Sequence, residues 1–232
     1  MDLRKTIEST YNNISKEFSQ TRNSPWGEFE EFKKYLSKGI KVLDVGCGNG
    51  RLYESIKDLN VDYTGVDISK KLLDEARRKY PDIRFIKNDM TELEPIKNER
   101  FDAIFFIASF HHLSDEKQRL KTLEKVKNLL KEDGKIFMTN WNIFQKKYRK
   151  YVWKSFLKLF ISKYKWNDTF IPFTKGGKTT MRYYHAFTPQ ELEGLFKKSD
   201  LKIIEKFSFG KDSRTEKWKD SRNLCYVLGT TN

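Results

Sequence analysis

Two cysteines in 232 residues, Cys47 and Cys225, leave no disulfide framework and no zinc-ligand spacing to read. Long hydrophobic runs are missing too, since none approaches the roughly 18 apolar residues a membrane-crossing helix needs. The opening Met1-Asp2-Leu3-Arg4-Lys5 runs into polar residues and lacks the apolar core of a secretory signal. These absences predict a reducing, cytoplasmic setting without stable membrane insertion. Negative charge is also scarce: 32 Asp and Glu face 46 Lys and Arg, a formal net charge of +14. Such an excess points to a polyanionic partner, nucleic acid first and an anionic membrane surface second. What is present suffices for a core. Hydrophobic residues make up 38% and aromatics 15%, and the length suits a single domain spanning 1–232.

The richest stretch is Val42-Leu43-Asp44-Val45-Gly46-Cys47-Gly48-Asn49-Gly50-Arg51. An apolar strand runs into glycines at alternate positions, and a helical pattern follows. Glycine there lets a ligand lie against bare backbone at a helix N-terminus. Dinucleotide folds use G-x-G-x-x-G, whereas this spacing is D-x-G-x-G-x-G. The lysine and hydroxyl of a P-loop are absent, because Arg51-Leu52 follows Gly50. Asp44, aimed into the loop, suits a cationic ligand group better than a diphosphate. Asp67 ends the next apolar strand and can accept from two ribose hydroxyls. Asp89 ends the third, where it can take the exocyclic amine of an adenine while the Met90 N–H serves the ring; capping the following turn is the plainer reading.

Strand-length runs (40–45, 61–68, 83–88, 101–108, 135–140, 202–209 and 224–228) alternate with helical patterns at 51–58, 70–79, 115–131 and 189–198. The alternation predicts an α/β fold, a doubly wound and mostly parallel seven-stranded sheet with an antiparallel strand near the C-terminus. Residues 1–38 precede it as a helical cap over the cleft. Residues 142–182 form an insertion that emerges on the ligand side of the sheet. In the insertion, Lys146, Lys150, Lys154 and Lys158 form a basic stripe, with Tyr148, Val152, Phe156 and Leu159 as its apolar side. Phosphates or a membrane surface would suit that stripe, as would plain solvent.

Two of three histidines, His111 and His112, fall at the end of the fourth strand, against the cleft. They can orient a substrate anion or pack a cofactor, and simple packing is the competing reading. No third ligand has metal-site spacing, so no metal is expected. Cys47 lies in the glycine loop and Cys225 in the last strand, so neither is placed to attack a pyrimidine ring.

The loop 44–50 resembles motif I of the class I S-adenosylmethionine-dependent methyltransferases, which implies a Rossmann-like fold and S-adenosyl-L-methionine as cofactor. By that resemblance Asp44, Gly46, Cys47, Gly48, Gly50, Asp67, Ile68, Asp89, Met90 and Ile107 form the cofactor site. No Asn-Pro-Pro-Tyr loop of the exocyclic-amine enzymes occurs. A narrower likeness lies in three segments: Phe18-Ser19 with Thr21-Arg22 and Pro25-Trp26, Ile107 to Ser114, and Arg182-Tyr183-Tyr184-His185-Ala186-Phe187. These are similar to the tRNA wobble-uridine carboxymethyl methyltransferases, which esterify the carboxylate of 5-carboxymethyluridine. The resemblance implies tRNA as partner and places Arg22, His111, His112, Arg182 and His185 around the acceptor. It also implies a small zinc-binding activator subunit pairing with the edge strand at 83–87. Two other readings stand beside it: a small-molecule or lipid O-methyltransferase, and a cofactor-binding RNA scaffold without activity.

Overall fold

The computed structural model describes residues 3–21, 27–157 and 164–231, so the expectations for Arg22, Lys158 and Leu159 fall outside the described residues. Five parallel strands come first: β1 (Lys41–Val45), β2 (Asp62–Asp67), β3 (Arg84–Lys87), β4 (Phe101–Ile107) and β5 (Leu130–Trp141). β8 (Leu201–Phe209), β9 (Arg214–Thr215) and β10 (Asn223–Thr230) complete a sheet of order β3-β2-β1-β4-β5-β10-β8-β9. β10 runs antiparallel to both β5 and β8. The expected seven strands are therefore present. The two-residue β9 is an eighth, formed where the loop after β8 doubles back through Gly210 N–H to Ser213 C=O (2.7 Å), with Arg214 bonded to Glu31 and Glu205.

Helices cover both faces. α5 (Glu116–Asn128) and α7 (Pro189–Lys198) bury Leu123, Val126, Leu192 and Phe196 on one side. On the other, α2 (Glu28–Lys33), α3 (Arg51–Ile56) and α4 (Lys70–Lys79) bury Phe32, Leu52 and Leu73 against Phe105 and Phe137. β1 is sandwiched between the two clusters, which is why its Val42 to Val45 run is continuous rather than alternating. Local chemistry sets the ends. Ser69 caps α4 through Leu72 N–H, and Arg77, Arg78 and Lys79 occupy its negative C-terminal end. Asp115 caps α5 through Gln118 N–H, so that helix begins one residue later than its periodicity suggests.

α1 (Leu3–Gln20) packs against α4. Asn12 Oδ1 accepts from Ser69 Oγ–H (2.9 Å) and Lys71 N–H (3.1 Å), tying α1 to the start of α4. The insertion differs from expectation. It holds α6 (Arg149–Leu157) and a separate hairpin of β6 (Asp168–Lys175) and β7 (Lys178–His185), extending to His185 rather than ending at 182. Gly176 and Gly177 make the two-residue turn, both at positive φ (58° and 74°), which matches the twist of the flanking strands. The helix-periodic lysine stripe is also revised. Lys146 precedes α6, and Phe156 is half-exposed because the helix packs on β6 through Val152. β3 is the sheet edge, with Arg84 paired to Glu99 and Lys87 to Glu8.

Arg119 on α5 is 1% exposed and joins three elements. Its guanidinium donates to Leu113 C=O (2.9 Å), pairs with Glu191 of α7 (3.3 Å) and lies over the Phe187 ring. Arg119→Ala leaves a void and strips the guanidinium from the Leu113 carbonyl and from Glu191, which keeps only His185 and Asn167, so it should cost about 3 kcal/mol in urea unfolding. Lys198→Ala, which breaks an exposed pair with Glu116, should cost less than about 1 kcal/mol.

Candidate active site

A cavity of about 890 Å³ opens outside the carboxyl ends of β1 to β5, where strand order reverses between β1 and β4. Its walls differ in charge. Asp44 within β1, Asp67 at the end of β2 and Asp89 after β3 make one wall acidic. Arg182 from the hairpin lies with His111 and His112 in the other.

The acidic wall is built by the glycine loop. Gly46, Gly48 and Gly50 all have positive φ. A Cβ on Gly46 would sit 2.3 Å from Ser109 Cβ, so this turn admits no side chain. Gly48 N–H donates to Asp67 Oδ2 (2.8 Å) and Ser69 N–H to Oδ1 (2.7 Å), which fixes that carboxylate. Burial still raises Asp67 to about 6. Asp44 is 1% exposed; Tyr63 O–H donates to its Oδ2 (2.6 Å), while Oδ1 is buried with no hydrogen-bond partner. Burial, opposed by the Tyr63 bond and aided by the Asp67 charge, raises Asp44 to about 7. An orphaned carboxylate oxygen at this point fits a ligand ammonium. Asp89 performs the plainer role as well: its Oδ1 accepts from Thr91 N–H (2.8 Å), and Oδ2 lies 3.6 Å from Arg4 of α1.

The opposite wall depends on one ring. Tyr184 is within 5.0 Å of both His111 and His112 and 4.9 Å of Trp141, centroid to centroid, and the Arg182 guanidinium lies 5.2 Å from it. Arg182 is also 5.0 Å from the Phe173 ring. It is 6% exposed, its Nε is buried without a partner, and no carboxylate among the described residues pairs with it. Ala108, at the end of β4, takes φ 51°, rare for a residue with a Cβ. That turn leads into the short 3-10 segment Phe110–His112 and aims both histidines at the cavity.

The two histidines differ in what they have left to give. His112 Nδ1 faces Tyr183 C=O (2.9 Å), so it carries the proton, and Nε2 accepts from Tyr11 O–H (2.9 Å). Both its nitrogens are used, and burial lowers it to about 4. His111 Nδ1 accepts from Trp141 N–H (3.3 Å), which leaves Nε2–H as a buried donor with no partner. Burial, then the His112 and Arg182 charges, hold His111 well below the usual histidine range. It is a neutral donor.

Of the expected cofactor residues, Asp44, Gly46, Cys47, Gly48, Asp67, Ile68, Asp89, Met90 and Ile107 line the cavity. Gly50 does not; it precedes α3, where a Cβ would crowd the Phe85 and Tyr80 rings. His185 also lies elsewhere. Side chains alternate across a strand, so Arg182 and Tyr184 face the cavity while Tyr183 and His185 face away. His185 Nδ1 lies 2.7 Å from Asp168 and Nε2 2.7 Å from Glu191, in the structural network around Arg119. Tyr11, Trp141, Tyr148 and Tyr184 line the cavity and were missed. Strand alternation from Arg182 would have found Tyr184. No local pattern marks the others.

A family model described as a methyltransferase domain matches residues 42–134. A protein of Encephalitozoon cuniculi, provisionally named a methyltransferase, is 30% identical over 196 residues, covering 84% of this chain and 86% of its own. The tRNA (carboxymethyluridine(34)-5-O)-methyltransferase of Xenopus tropicalis is 34% identical over 61% of this chain, which spans 22% of that protein's length. A solved S-adenosylmethionine-dependent methyltransferase of Methanosarcina mazei shares the fold, with TM-score 0.71 at 19% identity over 86% of this chain and 96% of that one.

Asp44 also yields a pH dependence. Its folded value lies above that of an unfolded carboxyl, so the native chain holds a proton that the unfolded chain has released. Stability from this group is full below about pH 4 and is lost as pH rises through about 7. Thermal unfolding of the unliganded protein should show Asp44→Asn gaining on wild type between pH 5 and 8. A constant difference would contradict that environment.

Proposed function

The chain belongs to the methyltransferase family, and from that premise we propose that it methylates the carboxylate of 5-carboxymethyluridine at the wobble position of tRNA. Bound S-adenosylmethionine supplies a methyl group on a positively charged sulfur. The acidic wall fits that cofactor. Asp44 Oδ1 is free for the ammonium, Asp67 stands ready for the ribose, and Gly46 leaves no side chain in the way. The name of the frog relative supports the tRNA acceptor, and so does the +14 charge.

The observation that carries the acceptor reading is Arg182. A buried guanidinium without a carboxylate partner is costly, and an incoming anion relieves that cost. Its planar fork matches a carboxylate. His111 Nε2–H is a second donor for the same group, or for a carbonyl of the base. Neither histidine is a competent base at neutral pH, with His112 near 4 and His111 held lower than usual. An acceptor already ionised needs none. The residues then act by orientation, worth up to about 7–11 kcal/mol in well-aligned reactions. Trp141, Tyr148 and Tyr184 offer rings against which a uracil can pack.

Incubation with labelled S-adenosylmethionine and total tRNA should give label that mild alkali releases, as an ester does. Alkali-stable label would refute esterification. Arg182→Ala should lower methyl transfer by about 100-fold or more while cofactor affinity stays within about threefold. Arg182→Lys should restore little, because an ammonium lacks the two-point fork. Wild-type turnover by Arg182→Ala would mean that the acceptor binds elsewhere.

A further inference from the structure

α6 begins where the cavity ends: Lys147 and Tyr148, just before it, line the cavity wall. The helix packs on β6 through Val152 and turns its other side outward. Trp153 is 64% exposed, Phe156 50% and Leu157 77%, and the Trp153 and Phe156 rings stand 6.2 Å apart. Large apolar side chains this open are unusual on a soluble surface. Arg149, Lys150 and Lys154 are exposed on the same helix, and no carboxylate among the described residues pairs with them. From Trp141 to Asn167 the sequence has eight Lys and Arg and no acid.

We infer that the exposed face of α6 is a stacking platform for unpaired RNA bases flanking the acceptor nucleotide. Aromatic rings stack on any base, and interleaved cations follow the phosphates of a single strand. A membrane-surface helix instead segregates its apolar and basic faces. Here Arg149, Trp153 and Phe156 share one helical stripe, with Lys150, Lys154 and Leu157 beside it. Rings and cations are mixed on one surface. The inference rests on the reading of tRNA as substrate and adds which side chains hold the strand next to the modified base.

The test uses the full chain, a seven-nucleotide single-stranded RNA and a duplex of the same sequence, read by fluorescence anisotropy. Wild type should prefer the single strand. Trp153→Ala should weaken single-strand binding about 10-fold and duplex binding little, with Trp153→Phe recovering most of the loss. Lys150→Ala and Lys154→Ala should weaken both RNAs and flatten the salt dependence. Unchanged single-strand affinity in a Trp153→Ala, Phe156→Ala double variant overturns the platform, as does equal loss for duplex. Sedimentation with phosphatidylserine vesicles that disappears in Trp153→Ala also overturns it, in favour of a lipid surface. The alkali-release assay on wild type reports separately on the reaction. Ester formation with unaltered RNA binding by the variants removes the platform alone, and stacking without ester removes the acceptor assignment alone. Thermal unfolding of Trp153→Ala should match wild type, because the side chain is largely in water.

Discussion

A guanidinium held out of water with no carboxylate partner among the described residues is the feature around which this cavity is organised. Arg182 is 6% exposed, flanked by the Phe173 and Tyr184 rings, with a buried Nε that donates to nothing. Electron-rich ring faces offset part of such a charge, but far less than a carboxylate would. The neighbouring histidines respond to it. Burial and nearby positive charge keep His111 neutral, so that it enters the site as a donor and not as a second cation. The same ring that supports Arg182 packs on both histidines and on Trp141.

The opposite wall is the electrostatic complement. Asp44 is the penultimate residue of β1, Asp67 ends β2 and Asp89 follows β3, all on the side of the sheet where parallel strands point their carboxyl ends. Burial raises Asp44 to about 7 and Asp67 to about 6, so this wall is reluctant to ionise by itself and a cationic ligand reverses that reluctance. A donor with an ammonium at one wall and an anionic acceptor at the other would meet between them. α1 roofs the space through Tyr11, whose hydroxyl meets His112, and through Asn12 at the start of α4.

Much of this was legible in the chain, and the reason is locality. The glycine loop, the acids after successive strands and the extents of α4 and α7 each follow from a short stretch of sequence. What escaped depends on contacts between distant segments. The hairpin had a local sign, since Gly176-Gly177 between two strand-length runs is a tight-turn signal. Reading it would have split the Arg182 to His185 segment into two faces and removed His185 from the site. Nothing local identifies Tyr11 or Trp141 as cavity residues. They arrive there by long-range contacts, Tyr11 of α1 with His112 and the Trp141 N–H at the end of β5 with His111. The apolar side expected beside the lysines differs for a similar reason: α6 packs on β6 through Val152, which leaves Phe156 in water, while Lys150 and Lys154 stay exposed one turn apart.

The most direct test compares two anticodon stem-loops that differ in one group, the 5-carboxymethyl acid and its neutral carbamoylmethyl analogue, titrated calorimetrically into protein saturated with S-adenosylhomocysteine. If Arg182 is a counter-charge waiting for an anion, the acid should bind about 100-fold more tightly, and the gap should close in Arg182→Met. Equal affinity for the two in the wild-type protein would contradict the assignment of the cationic wall to a carboxylate.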